Sequence, residues 1–217
     1  MNTQPNLKEL ERKAFRSTYE DGLWDMYFGL IVICMSIFIY RPASGYSPVN
    51  IVLALCAMGI AYAFFMAGKK FITLPRMGQV RFGAKREMRK RTLVIVLSVV
   101  VLIQVVFVAF QMLAWANPGM GATLHALLPD RTAGDLLVAS VGALFVGPSM
   151  IVVAYFKDFP RGYFIAIMIA LAVFLMTYLN QPIYPILIGL VIALPGVVLF
   201  VRFLRKYPLH REEAERE

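Results

Sequence analysis

Six long apolar runs, at residues 22–41, 50–68, 92–116, 134–156, 162–179 and 183–204, constrain this 217-residue chain more than any other feature. A helix rising 1.5 Å per residue needs about 20 residues to cross a hydrocarbon core of about 30 Å, and each run meets or approaches that length. A soluble core is a poor alternative. Apolar residues make up 59% of the chain and charged ones 16%, against about half and a quarter in ordinary globular domains. The expected fold is all-α, a polytopic bundle of six transmembrane helices. A cytosolic amphipathic segment (1–21) precedes the transmembrane domain (22–206), and a charged tail (207–217) follows it.

The stretch Lys69 to Arg91, KKFITLPRMGQVRFGAKREMRKR, orients the bundle. Nine of its 23 residues are Lys or Arg: Lys69, Lys70, Arg76, Arg81, Lys85, Arg86, Arg89, Lys90 and Arg91. With six crossings and the amino terminus inside, twenty of the chain's 22 cationic side chains fall on inner segments, and only Arg41 and Arg131 fall outside. That asymmetry places both termini in the cytoplasm of a cell whose inner membrane the chain spans. The net charge of +9 thus follows the membrane. The nine cations are expected to dock anionic lipid headgroups or a partner, or to serve only as a topology signal; nucleic acid is not an expected partner, because aromatic interleaving is thin. The first apolar run is too long for a signal-peptide core and no A-x-A site follows it, so it is expected to remain as a span.

Taken in order, residues 6–20 pattern as an amphipathic helix, with Leu7, Leu10, Ala14 and Phe15 on one face. DGLWD, Asp21 to Asp25, opens the first span, with acids at the positive end of the helix dipole and Trp24 at interfacial depth. Asp25 is the most deeply immersed acid. It calls for a salt bridge to a cation such as Arg76 or Arg81, or for a proton or cation site. Gly59, Ala63 and Ala67 in the second span, and Ala139, Ala143 and Gly147 in the fourth, recur every four residues. Such ridges let helices approach closely, within the chain or between subunits. FITLPRMGQVRF reads as extended around a Pro75–Gly78 turn, and helix is expected to resume at Ala84.

DGLWD at a span start, together with Pro75-Arg76-Met77-Gly78-Gln79-Val80-Arg81-Phe82, resembles a group of uncharacterised prokaryotic polytopic membrane proteins. In that group the inner loop runs P-R-x-G-x-V followed by a basic and an aromatic residue. The resemblance covers these two phrases, and RFLRKYP near the end, and implies no activity.

Further along, Gln104 and Gln111 lie seven apart on one face of the third span and should point into the bundle as interhelical glue or as a solute lining. His125 and Asp130 match an H-x-x-x-x-D spacing, but Pro129 breaks its context and the loop is short. Gly147-Pro148 and Pro195-Gly196 are expected to kink their helices. The phrases KKFITLPR, YFKDFPR and RFLRKYP suggest three successive helical hairpins. Cys34 and Cys56 lie inside spans and read as small buried hydrophobes.

No span holds a histidine, a paired carboxylate, a Ser–Lys dyad or a metal-ligand set, so neither an enzyme nor a cofactor or metal site is expected. What remains is an integral membrane subunit or scaffold acting by helix association, partner binding or anionic-lipid binding, with homo-oligomers among its expected states. The alternative is a small transporter or channel with a polar site near Asp25, Gln104 and Gln111.

Overall fold

The computed structural model describes residues 19–39, 48–77, 84–116 and 131–208. Each of the six apolar runs contains a helix. They form α1 (Leu23–Ile39), α2 (Pro48–Ala67), α3 (Ala84–Ala116), α4 (Arg131–Phe156), α5 (Pro160–Leu179) and α6 (Ile183–Lys206). No strand occurs among the described residues. The amphipathic segment through residue 18, Arg81, the loop with His125 and Asp130, and the tail beyond 208 lie outside them.

The second helix does not stop where its apolar run ends. It widens into a π-helical turn, Gly68–Thr73, and closes with an α-helical turn, Leu74–Met77. Within the π turn the Leu74 N–H donates to the Lys69 carbonyl, five residues back. The extended conformation expected from Phe71 onward is therefore corrected to helix as far as Met77. Strand propensity is a weak preference that tertiary contacts override, and here Gly68 and Thr73 are both buried against the start of α1. The widened turn sits immediately before Pro75, where a regular ladder would lose a hydrogen bond.

Four helical stretches, Val49–Arg76, Leu136–Phe156, Pro160–Leu179 and Ile183–Lys206, are long and apolar enough to cross a membrane. The first helix, with 17 residues, is shorter, about 25 Å. The third carries its basic turns ahead of an apolar stretch that begins near Thr92. Large apolar side chains such as Ile60, Phe64, Ile95, Leu102, Leu144 and Leu194 are exposed on the helices. Water would penalise such a surface; hydrocarbon does not. These are the features of a membrane-embedded protein.

The helices divide into two compact units. One holds α1, α2 and α6, and the other α3, α4 and α5. In the first, α1 packs against both α6 and α2; in the second, α4 packs against α5 and α3. The hairpin reading paired the fifth and sixth spans with each other. Instead α5 belongs with α4, and α6 belongs with α1. Small residues decide this. A Cβ on Gly29 would lie 2.6 Å from the Gly189 carbonyl oxygen, and one on Gly189 would lie 2.7 Å from the Gly29 oxygen. A Cβ on Gly22 would reach 2.2 Å from the Gly196 oxygen, and one on Gly196 would come within 2.7 Å of the Met26 nitrogen. The glycines are spaced seven apart on each helix and pair in antiparallel order, so backbone meets backbone at two levels.

In the second unit Gly142 and Gly147 of α4 face α5. A Cβ on Gly147 would touch the Ala170 Cβ at 3.0 Å, and one on Gly142 the Val173 Cγ1 at 3.3 Å. Ala139 is fully buried and Ala143 half-buried. Pro148 and Pro195 each lie inside one continuous helix, and the adjacent Gly147 and Gly196 serve the helix contacts. Phe159 N–H donates to the Ala154 carbonyl at 3.0 Å to close the turn into α5. Asn180, left-handed at φ 51°, ends α5 and Pro182 follows, a sequence of stop signals.

The Gly59–Ala63–Ala67 ridge behaves differently. All three residues are exposed, and a Cβ on Gly59 would meet nothing within 4 Å. The packed face of α2 is instead Ala54, Ala61, Phe65 and Gly68, so the ridge is not a contact within its unit. Cys34 is half-buried and Cys56 exposed, and both are free thiols.

These contacts predict an unequal response to one methyl group. Gly29→Ala and Gly189→Ala should each lower unfolding stability in detergent by about 1–3 kcal/mol through overpacking. Gly59→Ala should change it by no more than about 1 kcal/mol, because it affects only helix propensity. Thermal or denaturant melts of the three variants check this.

Candidate functional site

The node at the start of α1 is built by DGLWD, and each of the five residues has a separate contact. Asp21 lies just ahead of the helix, and its Oδ1 accepts the Leu23 backbone N–H at 3.3 Å, capping the first turn. Gly22 takes φ +72°, which a side chain would strain, and lies against Gly196. Its carbonyl accepts the Met26 N–H at 3.0 Å and so begins the helical ladder. Leu23 is 2% exposed and packs on Gly68 of the π turn. Trp24 stacks into an aromatic cluster, with ring centroids 4.6 Å from Phe65, 5.6 Å from Phe28 and 5.9 Å from Tyr19. Asp25 is buried, its Cβ beside Gly196.

The second carboxylate oxygen of Asp21 holds the node together. Lys69 Nζ donates to Oδ2 at 2.6 Å and Thr73 Oγ1 donates to the same atom at 2.7 Å. The Asp21 side chain is fully buried and that of Lys69 is 19% exposed. Both donors come from the π turn, four residues apart on one face. A buried carboxylate with three donors is a satisfied group. It ties the start of α1 to the end of α2 while Gly22 ties the same point to α6.

The sequence pointed to Asp25 as the acid to be neutralised, with Arg76 or Arg81 as its cation. An ion pair at the base of α1 joins Asp21 to Lys69, and Arg76 donates to the Ile72 carbonyl of its own helix at 3.2 Å; Arg81 lies outside the described residues. The π turn aims Lys69 and Thr73 at the base of α1. Thr73 and the glycine pairs were missed. The seven-residue spacing shared by Gly22 and Gly29 with Gly189 and Gly196 was the available signal.

A second polar contact belongs to the other unit. Arg89, in the basic start of α3, donates to Asp158 Oδ2 at 2.9 Å and to the Tyr155 carbonyl at 3.0 Å. Its guanidinium also lies 5.5 Å from the Tyr155 ring centroid and 5.9 Å from that of Phe156. Asp158 reaches this position through a left-handed backbone, φ 49°. Of the nine predicted docking cations, Lys69 and Arg89 are therefore committed within the chain. Lys70 lies over the neighbouring Phe71 ring. Lys85 and Arg86 lie on helical backbone, and Lys90 and Arg91 are exposed.

Of the two α3 glutamines, Gln104 donates to the Phe145 carbonyl on α4 at 3.4 Å, an interhelical bond. Gln111 is helical in backbone and its side chain lies outside the described residues. Asp25 belongs to one unit, and Gln104 and Gln111 to the other. Ser36, Ser149 and Thr177 donate to carbonyls three or four residues back on their own helices. No group of three His, Cys, Asp or Glu is placed to hold a metal ion among the described residues.

Comparison with protein-family models, with curated proteins and with solved structures gave no match.

The two polar contacts should differ in weight. Thr73→Val removes a hydrogen bond to a buried charge and should cost about 1.5–3 kcal/mol. Arg89→Gln breaks a pair whose arginine is 37% exposed and should cost about 1 kcal/mol or less. Unfolding in detergent, followed by tryptophan fluorescence of the Trp24 cluster, measures both.

Proposed function

We propose that this chain is a non-enzymatic subunit or scaffold of the inner cell membrane that works by association, spanning the bilayer six times with both termini in the cytoplasm. The observation that carries this reading is where its polar groups are used. Asp21 is answered by Lys69 and Thr73, Gln104 by the Phe145 carbonyl, and the span hydroxyls by their own helices. Asp21 and Gln104 thus fix helices against one another, while the hydroxyls bond within their own helices.

Meanwhile the outer face of α2 presents Gly59, Ala63 and Ala67 beside exposed Val52, Leu55, Ile60 and Met66. Small residues flanked by large ones suit contact with another helix in lipid, where close packing drives association. The cationic asymmetry of the sequence sets the side on which the basic turns lie.

Two measurements test this. Reporter fusions at either terminus should both read cytoplasmic; a periplasmic signal from one would remove a crossing. In mild detergent the protein should run as an oligomer or with a co-purifying membrane partner. Gly59→Leu with Ala63→Leu should dissociate that assembly while leaving the melt of the monomer unchanged. A strictly monomeric, partnerless wild type would contradict the proposal.

A further inference from the structure

We infer that the outward face of the first turns of α3 is a binding site for an anionic phospholipid, with Lys90 and Arg91 on the headgroup phosphate and Val94 and Ile95 along the acyl chains. The inference deepens the association reading and rests on its placement of the basic turns at the inner membrane surface.

The two faces of α3 divide cleanly. Arg89, Leu93, Val96, Leu97, Val100 and Gln104 are buried or half-buried and follow helical spacing; Arg89 and Gln104, at the ends of this stripe, bond to the α4–α5 turn and to α4. The other face is exposed. Met88 heads it, Lys90 and Arg91 follow, and Val94, Ile95, Val99 and Leu102 continue down the helix, each more than half exposed except the two cations, whose class is likewise exposed.

Three physical points select the ligand. First, Lys90 and Arg91 make no hydrogen bond, ion pair or ring contact within the described structure, whereas Arg89 one residue earlier makes four. Two adjacent cations with no partner among the described residues suit an anion. Second, the aliphatic residues begin one turn along the same face. A free phosphate would use the cations and leave Val94 and Ile95 unexplained, and a soluble acidic peptide would have to lie on hydrocarbon-facing side chains. An anionic phospholipid matches both halves. Third, the charge-to-aliphatic boundary falls at Thr92, where the apolar stretch of the helix begins, which is the depth a headgroup phosphate occupies relative to its chains.

Native mass spectrometry of the full chain in mild detergent tests the site, with phosphatidylglycerol and phosphatidylcholine titrated separately and inorganic phosphate as a third arm. Wild type should retain phosphatidylglycerol in preference to phosphatidylcholine. Lys90→Gln with Arg91→Gln should weaken phosphatidylglycerol about 10- to 30-fold, two cations at a membrane surface each contributing about a factor of five. Arg202→Gln with Arg205→Gln, which removes two exposed cations of α6, should change it less than about 2-fold. Equal retention of both lipids, an unaltered double variant at 90 and 91, equal loss in the α6 control, or displacement of lipid by inorganic phosphate would each overturn the site. The same spectra report assembly mass. A monomer that keeps phosphatidylglycerol refutes helix association and leaves this site standing, and an oligomer indifferent to lipid does the reverse.

Discussion

A carboxylate with no exposure to solvent has to be answered by donors inside the protein, and the answer found for Asp21 organises the unit around it. Lys69 and Thr73 can reach one oxygen only because α2 overruns its apolar stretch and widens into a π turn. The same carboxylate caps α1 through its other oxygen. Burying an ion pair is costly, and removing one partner is costlier than never having made it. The pair therefore acts as a register pin, fixing which turn of α2 meets the start of α1.

Packing then extends from that pin without further charge. Gly22 sets its backbone on Gly196, and two turns deeper Gly29 meets Gly189. Trp24, one residue past the buried Leu23, closes the side toward α2 with Phe65. In lipid, apolar side chains gain little by leaving solvent, so close backbone approach and internal hydrogen bonds must hold helices together. The second unit follows the same logic with different parts. Gly142 and Gly147 admit α5 closely, and Gln104 reaches the Phe145 carbonyl. The exposed faces of the described helices are largely apolar, with exposed cations such as Lys90 and Arg91 at one helix start, and that combination underlies the reading of a protein that works by what it binds in the membrane.

The helices were legible in the sequence because apolar runs of membrane length leave little choice of structure, and each of the six runs falls on one helix, with the second helix running on to Met77 and the third starting about two turns early at Ala84. The start of α3 at Ala84 was also readable, since AKREMRKR contains strong helix formers. The end of α2 was not. Phe71 to Met77 carry β-branched residues and a proline, and only the tertiary demand of Asp21 keeps them helical. Asp25 drew attention as the deeper acid, yet depth along the chain did not show that Asp21 would be the fully buried one. The ridges of small residues were half legible: Ala139, Ala143 and Gly147 were recognised, while the α1–α6 glycines were passed over because seven-residue spacing is sparser than four. Which spans pack together depends on matching two such patterns across 160 residues of chain, and single-span periodicity does not contain that information.

The most direct measurement of the pin is a double-mutant cycle on Asp21→Asn and Lys69→Met, read by reversible unfolding in detergent. If the buried pair fixes the first unit, each single variant is strongly destabilised. The double variant recovers part of the loss, and the coupling is about 2 kcal/mol or more, within the range for contacting residues. Additive effects, agreeing within about 0.5 kcal/mol, would mean that the two side chains do not depend on each other, and the account of what holds α1 to α2 would be wrong.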